Sequence, residues 1–244
     1  MKQSIFTIKK NEPLTNTVYH MVLEGDTSAI TQAGQFINIK LNDCFLRRPI
    51  SICDYDESTI TILYKVVGKG TNLLSQMPPL ATLDILVGLG NGYDTTKSGD
   101  HPLLIGGGVG IPPMYHLAKR LIAEGKNPTI ILGFNAKAEA FYLKEFESLG
   151  ANVLVATADG SLGTKGFVTN LVDAQTDYTY FYTCGPEAML KAITDSTKTN
   201  GQLSFEERMG CGFGACMGCS CQTKYGNKRI CKEGPVLEKE EIIW

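Results

Sequence analysis

The residues with the strongest chemical character are five cysteines crowded near the C-terminal end: Cys211, Cys216, Cys219, Cys221 and Cys231, of eight in the chain. Four of them follow the spacing C-x4-C-x2-C, with a distant fourth cysteine at Cys231. This spacing is typical of plant-type ferredoxins, whose [2Fe–2S] cluster needs four thiolates, two for each iron. It therefore predicts cluster ligands at Cys211, Cys216, Cys219 and Cys231.

Two other interpretations of these cysteines are less well supported. A disulfide is disfavoured because the neighbouring thiols share one tight loop and nothing in the sequence indicates an oxidising compartment. Structural zinc usually takes two short Cys-x2–4-Cys pairs, and Cys231 has no such neighbour. We expect Cys221, on a strand-like SCQTK segment, not to be a ligand. Nearby glycines would let the backbone wrap closely around a cluster: Gly210, Gly212, Gly214 and Gly218.

A second candidate site combines an arginine-containing strand with a glycine-containing turn. Arg47 to Ser51 spell R-R-P-I-S, and a bidentate arginine suits a pyrophosphate while a neighbouring hydroxyl or N–H can reach a flavin ring. Gly68 to Thr71 lead into a short helix, whose first N–H groups can bind phosphate. Each segment alone is more often a solvated arginine pair or an ordinary turn. Their joint occurrence upstream of an α/β domain favours a flavin site.

A third candidate site lies in the second half of the chain. Gly106 to Pro113, GGGVGIPP, follow a predicted strand and open a helix, as a dinucleotide-binding loop does. Taken alone, this loop is equally compatible with an ordinary strand–helix turn. Cys184 ends another strand at the same sheet edge, although such a cysteine is more often a buried apolar residue. The candidate nucleotide-binding residues are Gly106, Gly107, Gly108, Gly110, Cys184, Gly185 and Pro186.

The elements that must position these residues fall into three regions. The first hundred residues contain six short strand-like runs, one of them over 48–55, and a helix predicted at Thr71–Met77; they predict a small antiparallel barrel or sandwich. Strands and helices then alternate, which predicts a parallel sheet covered by helices. Beyond about Gly201 the sequence is rich in glycine and cysteine. The predicted organisation is a multidomain chain: a β-barrel over 1–98, an α/β domain over 99–200 and a cysteine-rich tail over 201–244.

Length, composition and charge restrict the classes of function. A chain of 244 residues with 43% apolar residues is an ordinary globular protein of one or two domains with a small appendage. A net charge of −2 gives no broad basic surface for nucleic acid. The sequence shows neither a signal peptide nor a membrane-spanning run, so we expect a cytoplasmic protein that binds neither nucleic acid nor membrane.

In order and spacing, R-P-I-S, G-x-G-T, GGGVGIPP and C-G-P resemble the ferredoxin–NADP reductase superfamily. With the tail E-E-R-M-G-C-G-x-G-A-C-x-x-C-x-C and the closing C-x-x-G-P-V, the whole chain is similar to the electron-transfer subunits of NAD-dependent, class B dihydroorotate dehydrogenases. The resemblance implies a barrel that binds FAD, NAD+ as co-substrate at the α/β domain, and a [2Fe–2S] cluster on the four cysteines.

Carried over to this sequence, the family's flavin contacts fall on Arg48, Pro49, Ile50, Ser51, Leu63, Tyr64, Lys65, Gly70 and Thr71. The superfamily's usual R-x-Y-S is R-P-I-S here, so we expect the ring of Tyr64 to cover the flavin instead. The segment from Gly133 to Lys137 lacks the arginines expected for a 2′-phosphate, which favours NAD over NADP.

The function implied by the resemblance is electron transport in pyrimidine (UMP) biosynthesis. Electrons pass from the FMN of a catalytic partner subunit through the cluster and FAD to NAD+, in an assembly of two copies of each chain. A flavin suits this place because it exchanges both hydrides and single electrons. His20, His101 and His116 form no triad and no residue is assigned a catalytic role, so substrate oxidation is expected on the partner.

Two rival functions stay open at this stage. One is a related flavin and iron–sulfur NAD(P)H reductase that serves ferredoxin, sulfide or a glutamate-synthase-type partner. The other is a zinc-bearing interaction module on a degenerate reductase scaffold. For the electron-transfer subunit that the resemblance implies, the cysteine tail is the expected docking region for the partner, with Lys224, Lys228 and Arg229 as its candidate contacts.

Overall fold

The computed structural model describes all 244 residues, Met1–Trp244. Its N-terminal part is a seven-stranded antiparallel sheet in the order β4-β3-β7-β1-β2-β6-β5. A short helix, α1 (Lys69–Ser75), connects β6 and β7. The strands are β1 (Lys2–Pro13), β2 (Val18–Glu24), β3 (Phe36–Ile39), β4 (Arg48–Ser51), β5 (Asp54–Tyr55), β6 (Thr59–Lys65) and β7 (Thr82–Leu89).

The two edge strands of this sheet are neighbours in the sequence. Only Ile52 and Cys53 separate β4 from β5, although these strands lie at opposite ends of the strand order. The N–H of Ile52 donates to the Gln35 carbonyl beside β3, and the N–H of Cys53 donates to the Thr61 carbonyl in β6. The sheet therefore curls until its ends meet, which confirms the predicted antiparallel barrel. Its interior is filled by alternate apolar residues, among them Phe6, Ile8, Ile37, Ile39, Ile60 and Ile62.

Two local expectations in the barrel differ from the structure. The run predicted over 48–55 is two strands, because the chain leaves one end of the sheet and joins the other at Ile52. Helix α1 starts two residues before the predicted Thr71, since the Thr71 hydroxyl accepts the N–H groups of Val67 and Gly68 and so caps the first turn.

The second sheet has the order β11-β10-β9-β8-β12-β13-β16 and is parallel except for its last strand. Strand β8 lies at its centre, with β9 on one side and β12 on the other, so the strand order reverses there and a ligand site is expected at the carboxyl ends. The elements are β8 (Pro102–Gly107), α2 (Pro112–Ala123), β9 (Thr129–Phe134), α3 (Leu143–Glu147), β10 (Asn152–Thr157), β11 (Thr164–Lys165), α4 (Val168–Val172), β12 (Tyr180–Cys184), α5 (Glu187–Ser196), β13 (Gly201–Ser204) and β16 (Val236–Glu238).

The C-terminal tail leaves this sheet and returns to it. Strand β13 pairs with β12 in parallel and with β16 in antiparallel fashion, so both ends of the cysteine-containing segment belong to the α/β sheet. Between them a loop leads to a hairpin of β14 (Ser220–Thr223) and β15 (Gly226–Arg229). Cys219, Ile230 and Cys231 are buried in one apolar cluster with Phe36 of the barrel and Leu203 of the sheet.

The barrel and the α/β domain also meet directly along β5 and α2. The His116 N–H donates to the Cys53 carbonyl, and His116 Nδ1 lies 2.7 Å from Asp54 Oδ1. Lys119 Nζ lies 2.6 Å from Asp54 Oδ2, and the Tyr55 ring stacks on His116 with centroids 4.4 Å apart. His116 therefore joins the two domains, a role that the sequence did not predict. No helix has the length and apolarity of a membrane span.

Candidate functional site

The four cysteines predicted as cluster ligands lie in two pairs. The N–H groups of Cys211 and Cys216 each point at the sulfur of the other residue, with N···S distances of 3.4 Å. The N–H of Cys231 points at Cys219 Sγ, also at 3.4 Å. No three metal-ligating side chains converge as they would around one ion. Two thiol pairs are the donor set that a two-iron cluster takes, one pair for each iron, so the residues fit the predicted group.

The loop between β13 and β14, residues 205–219, is called the cysteine loop below, and it stabilises a thiolate at Cys211. Burial raises the pKa of this thiol, but the N–H groups of Phe213, Cys216 and Ala215 point at its sulfur and lower the pKa to about 6 overall. The N···S distance from Ala215 is 3.2 Å. A thiolate is the form that binds iron, so the loop holds Cys211 in an environment that favours metal binding.

The two thiol pairs differ in exposure. Cys216 is exposed, whereas Cys219 and Cys231 are only 2% and 1% exposed. Burial and the neighbouring Cys219 raise the pKa of Cys231 to about 12. Cys221 is half-buried on β14 and is not part of either pair. One pair therefore faces outward and the other faces the apolar core of the molecule.

Three side chains fix the position of the cysteine loop. Asn38 Nδ2 on β3 donates to the Cys211 carbonyl at 3.3 Å. Asn91, just after β7, binds the carbonyls of Glu233 and Val236 and accepts the Val236 N–H. Arg229 donates to the Gly214 carbonyl at 2.6 Å and is paired with Glu233. The barrel thus holds the tail at its first cysteine and again beyond its last.

The two segments predicted to bind flavin meet at the barrel. Arg48 on β4 lies against Gly70 of α1 so closely that a Cβ on Gly70 would come within 2.1 Å of Arg48 Nε. Arg47 is used within the fold, because its Nη2 lies 2.9 Å from Asp84 Oδ1 and its Nη1 donates to the Asp84 carbonyl. Arg48 Nη1 donates to the Leu46 and Arg47 carbonyls, but Arg48 forms no ion pair within the chain, so its charge is the one of this pair that is available to a pyrophosphate.

The expectation that the Tyr64 ring covers the flavin is wrong. Tyr64 is 1% exposed, stacks on Tyr19 and donates its hydroxyl to Asn11 Oδ1 at 2.9 Å. Strand alternation explains this: Tyr64 faces the barrel interior, while the preceding Leu63 packs against the α/β domain. Only the backbone of Tyr64 is left to contact a flavin.

The glycine loop and the C-G-P segment meet at the carboxyl edge of the parallel sheet. A Cβ on Gly110 would come within 2.2 Å of the Cys184 carbonyl oxygen, so this position requires glycine. Pro112 and Pro113 form the first turn of α2. Burial raises the pKa of Cys184 to about 12, so its sulfur remains a neutral thiol. Beyond β9, Asn135 Nδ2 donates to Glu139 Oε2 at 3.0 Å, and a carboxylate there opposes a 2′-phosphate.

Comparisons with known proteins agree with this geometry. Two family models match: "Iron-sulfur cluster binding domain of dihydroorotate dehydrogenase B" over residues 206–243, and "Oxidoreductase NAD-binding domain" over 104–195. A ferredoxin NADP+ reductase from Neisseria gonorrhoeae shares the fold, with a TM-score of 0.71 and 16% identity over 80% of this chain and 90% of that one. The class that fold and site define is thus a ferredoxin–NADP reductase-like flavoprotein with an iron–sulfur tail.

Proteins of higher sequence identity identify the particular family. The structure of an NADH-dependent reduced ferredoxin–NADP oxidoreductase, described for flavin-based electron bifurcation, has a TM-score of 0.89 and 30% identity over 98% of this chain and 90% of that one. The "Dihydroorotate dehydrogenase B (NAD(+)), electron transfer subunit" of Bacillus pumilus (strain SAFR-032) is 42% identical over 99% of this chain and 98% of its own. The chain belongs to the family of these electron transfer subunits. The predicted cofactor classes, iron–sulfur, flavin and nicotinamide, are confirmed.

Proposed function

We propose that this chain passes the electrons of dihydroorotate oxidation, which takes place on the FMN of a catalytic partner subunit, through a [2Fe–2S] cluster and FAD to NAD+. The observation that carries this proposal is the attachment of the cysteine loop to the flavin barrel: Asn38 binds the Cys211 carbonyl and lies opposite Pro49 of β4 in the strand register. The cluster ligands are therefore held against the strand that is expected to bind the flavin.

We propose separate sets of residues for binding the cluster, FAD and the nicotinamide nucleotide. Cys211, Cys216, Cys219 and Cys231 would hold the cluster, and the loop N–H groups would stabilise its sulfurs. Arg48 and the backbone of β4 and α1 would bind and orient FAD, with Pro49, Ile50, Ser51, Leu63, Tyr64, Lys65, Gly70 and Thr71 as the proposed contacts. Gly106 to Gly110 and Cys184 to Pro186 would admit the nicotinamide nucleotide. When bound, the flavin supplies the exchange between single electrons and a hydride.

The overall reaction balances without a proton-transferring residue in this chain. Dihydroorotate loses two electrons and two protons to become orotate, NAD+ takes up a hydride, and one proton is released.

We propose three domains: residues 1–98 bind the flavin, residues 99–200 bind the nucleotide and residues 201–244 bind the cluster. Strands β13 and β16 of the third domain complete the sheet of the second. We propose an assembly of two copies of each chain.

The outward face of the cysteine loop is the proposed docking surface for the catalytic subunit. Lys224, Lys228 and Arg229 are poor contacts, because each is engaged within the chain by Glu240, Glu241 or Glu233. Phe213 and Met217 are better, since they are 44% and 55% exposed beside Cys211 and Cys216.

Anaerobic purification of the full chain tests the cofactor assignment. We expect about two irons and two acid-labile sulfides with one FAD per chain, and bleaching of the flavin by NADH. Zinc without flavin would contradict the proposal and support the interaction-module alternative. Co-expression with an FMN-containing dihydroorotate dehydrogenase subunit then tests the partner, since only the proposed complex reduces NAD+ with dihydroorotate.

The similarity to the ferredoxin–NADP oxidoreductase favours one second candidate, a reductase subunit that serves ferredoxin. The same purified chain distinguishes the two. Reduction of ferredoxin by NADH, together with failure to bind the dihydroorotate-oxidising subunit, would support the second candidate.

A further inference from the structure

Asn38 is a polar side chain buried between the flavin strand and the cluster loop. It is 1% exposed, although its neighbours Ile37 and Ile39 face the apolar interior of the barrel. By strand alternation Asn38 points outward, on the same face as Phe36, which packs against the cysteine tail. In the register of β3 with β4 it lies opposite Pro49.

The hydrogen bonds of Asn38 are incomplete. Its Nδ2 donates to the Cys211 carbonyl at 3.3 Å, while its Oδ1 is buried without a partner. Burying an amide in this state is unfavourable, so packing alone does not account for an asparagine here. Gly212 shows how closely the cysteine loop approaches β3, because a Cβ at that residue would come within 2.3 Å of Asn38 Nδ2.

The backbone that carries Asn38 is itself fixed. Arg47 Nη1 donates to the Asn38 carbonyl at 3.3 Å and to the Asp84 carbonyl at 2.9 Å, so β3, β4 and β7 are joined at this point. A continuous set of contacts therefore runs from the R-P-I-S strand through Asn38 to Cys211, and from Cys211 to the N–H groups around its sulfur.

Asn91 provides a contrast within the same barrel. Its side chain makes three hydrogen bonds to the tail, at 2.7, 2.9 and 3.0 Å, and none of its polar atoms is left without a partner. It holds residues 233–236, beyond the last cysteine. Asn91 thus anchors the tail, whereas Asn38 contacts the backbone of a cluster ligand directly.

We propose that Asn38 is a positioning residue for electron transfer between the cluster and the flavin. It acts through the Cys211 carbonyl, by fixing the outward pair of ligands relative to the flavin strand. The cluster, held by the four cysteines, would supply one electron in each transfer, and the flavin bound at β4 would accept it. Two transfers supply the electron pair of the hydride given to NAD+. This inference rests on the proposed function.

The test is anaerobic stopped-flow reduction of the full chain by NADH, which runs the path in reverse. In the unsubstituted chain we expect a fast flavin phase followed by a cluster phase. Asn38→Leu keeps the approximate volume without a donor, and Asn38→Ala is a second variant in case leucine does not fit. With full iron and flavin content, we expect the cluster phase to slow about tenfold and the flavin phase to stay unchanged.

A matched control is Asn227→Ala, which truncates an exposed asparagine on β15 in the same tail and should leave both phases unchanged. The electron paramagnetic resonance spectrum of the reduced cluster is a second readout, and we expect it to change only in the Asn38 variants. An unchanged cluster phase in iron-replete Asn38 variants would overturn the inference, as would loss of iron from both variants, which indicates a purely structural role. Absence of either phase in the unsubstituted chain would instead overturn the proposed function.

Discussion

At the residue scale, the pairing of the thiols separates the four proposed ligands from Cys221, the remaining cysteine of the tail. Cys219 is buried and faces Cys231, whereas Cys221, two residues later, lies on β14 outside both pairs. Cys219 lies in the loop just before β14, where its sulfur faces the Cys231 N–H, whereas Cys221 lies within the strand, so two cysteines close in sequence have different surroundings.

This difference predicts the outcome of two serine substitutions. Cys219→Ser should abolish most cluster binding, because one iron would lose one of its two thiolates. Cys221→Ser is the matched control and should keep the full cluster. Iron and acid-labile sulfide per chain, measured after anaerobic purification, check both. Equal loss in the two variants would contradict the assigned ligand set.

The two adjacent arginines of the R-P-I-S segment should behave differently. Arg48→Ala should weaken FAD binding about tenfold or more, because it removes a charge-assisted bond to a phosphate. Arg47→Ala should chiefly lower thermal stability, since Arg47 pairs with Asp84 on the outer face of β7. Flavin titration followed by fluorescence, with melting curves of both variants, measures the contrast. Equal FAD affinity in the two variants would argue against the role of Arg48.

At the element scale, the contact between β5 and α2 joins the antiparallel barrel to the α/β domain. Burial raises the pKa of Asp54, but the bonds to His116 and Lys119 outweigh it and hold the pKa below its ordinary value of 3.8. Because the folded-state pKa is depressed, the carboxylate stabilises the fold fully above the unfolded-state pKa. That stabilisation is lost as the pH falls through the folded-state pKa.

Asp54→Asn should therefore destabilise the chain by about 1–2 kcal/mol at neutral pH. The difference from the unsubstituted chain should shrink as the pH falls below about 4. Denaturant unfolding at several pH values measures it. The exposed Asp177→Asn is a suitable control, and a difference that persists unchanged at pH 3 would contradict this account.

The features that could be predicted from the sequence are those that depend on residues near one another in the chain. Alternating strands, the cysteine spacing and the glycine loop each depend on residues close in sequence, and the barrel, the parallel sheet and the cysteine-rich tail that they predict are present. The split of residues 48–55 depends on closure of the barrel, and the burial of Tyr64 depends on which face of β6 meets the other domain. Strand β13 was missed because GQLS is too short to show a periodicity. The contacts of His116 and Asn38 join residues more than 60 positions apart, which no local pattern reveals.

At the scale of the whole molecule, the cysteine loop is both the proposed cluster site and the proposed docking surface. Phe213→Glu or Met217→Glu should weaken assembly with the catalytic subunit at least tenfold, because an apolar contact would be replaced by a charge. Phe167→Glu, equally apolar and 70% exposed but on the α/β domain, should leave assembly unchanged. Dissociation constants from biolayer interferometry would compare the variants. Similar effects of all three substitutions would contradict docking at the loop.

The cysteine segment begins at β13 and ends at β16, which are hydrogen-bonded to each other, so its base is closed. Asn38 fastens its first cysteine, Cys211, to the barrel, and Asn91 fastens Glu233 and Val236 at its base. A cluster held in this way has no tether on which to swing between a donor and an acceptor. Electrons must then cross a fixed distance, and their rate of transfer within the chain should not depend on solvent viscosity. Adding sucrose or glycerol to the single-turnover reaction should slow the encounter with NADH or the partner while leaving the internal step unchanged.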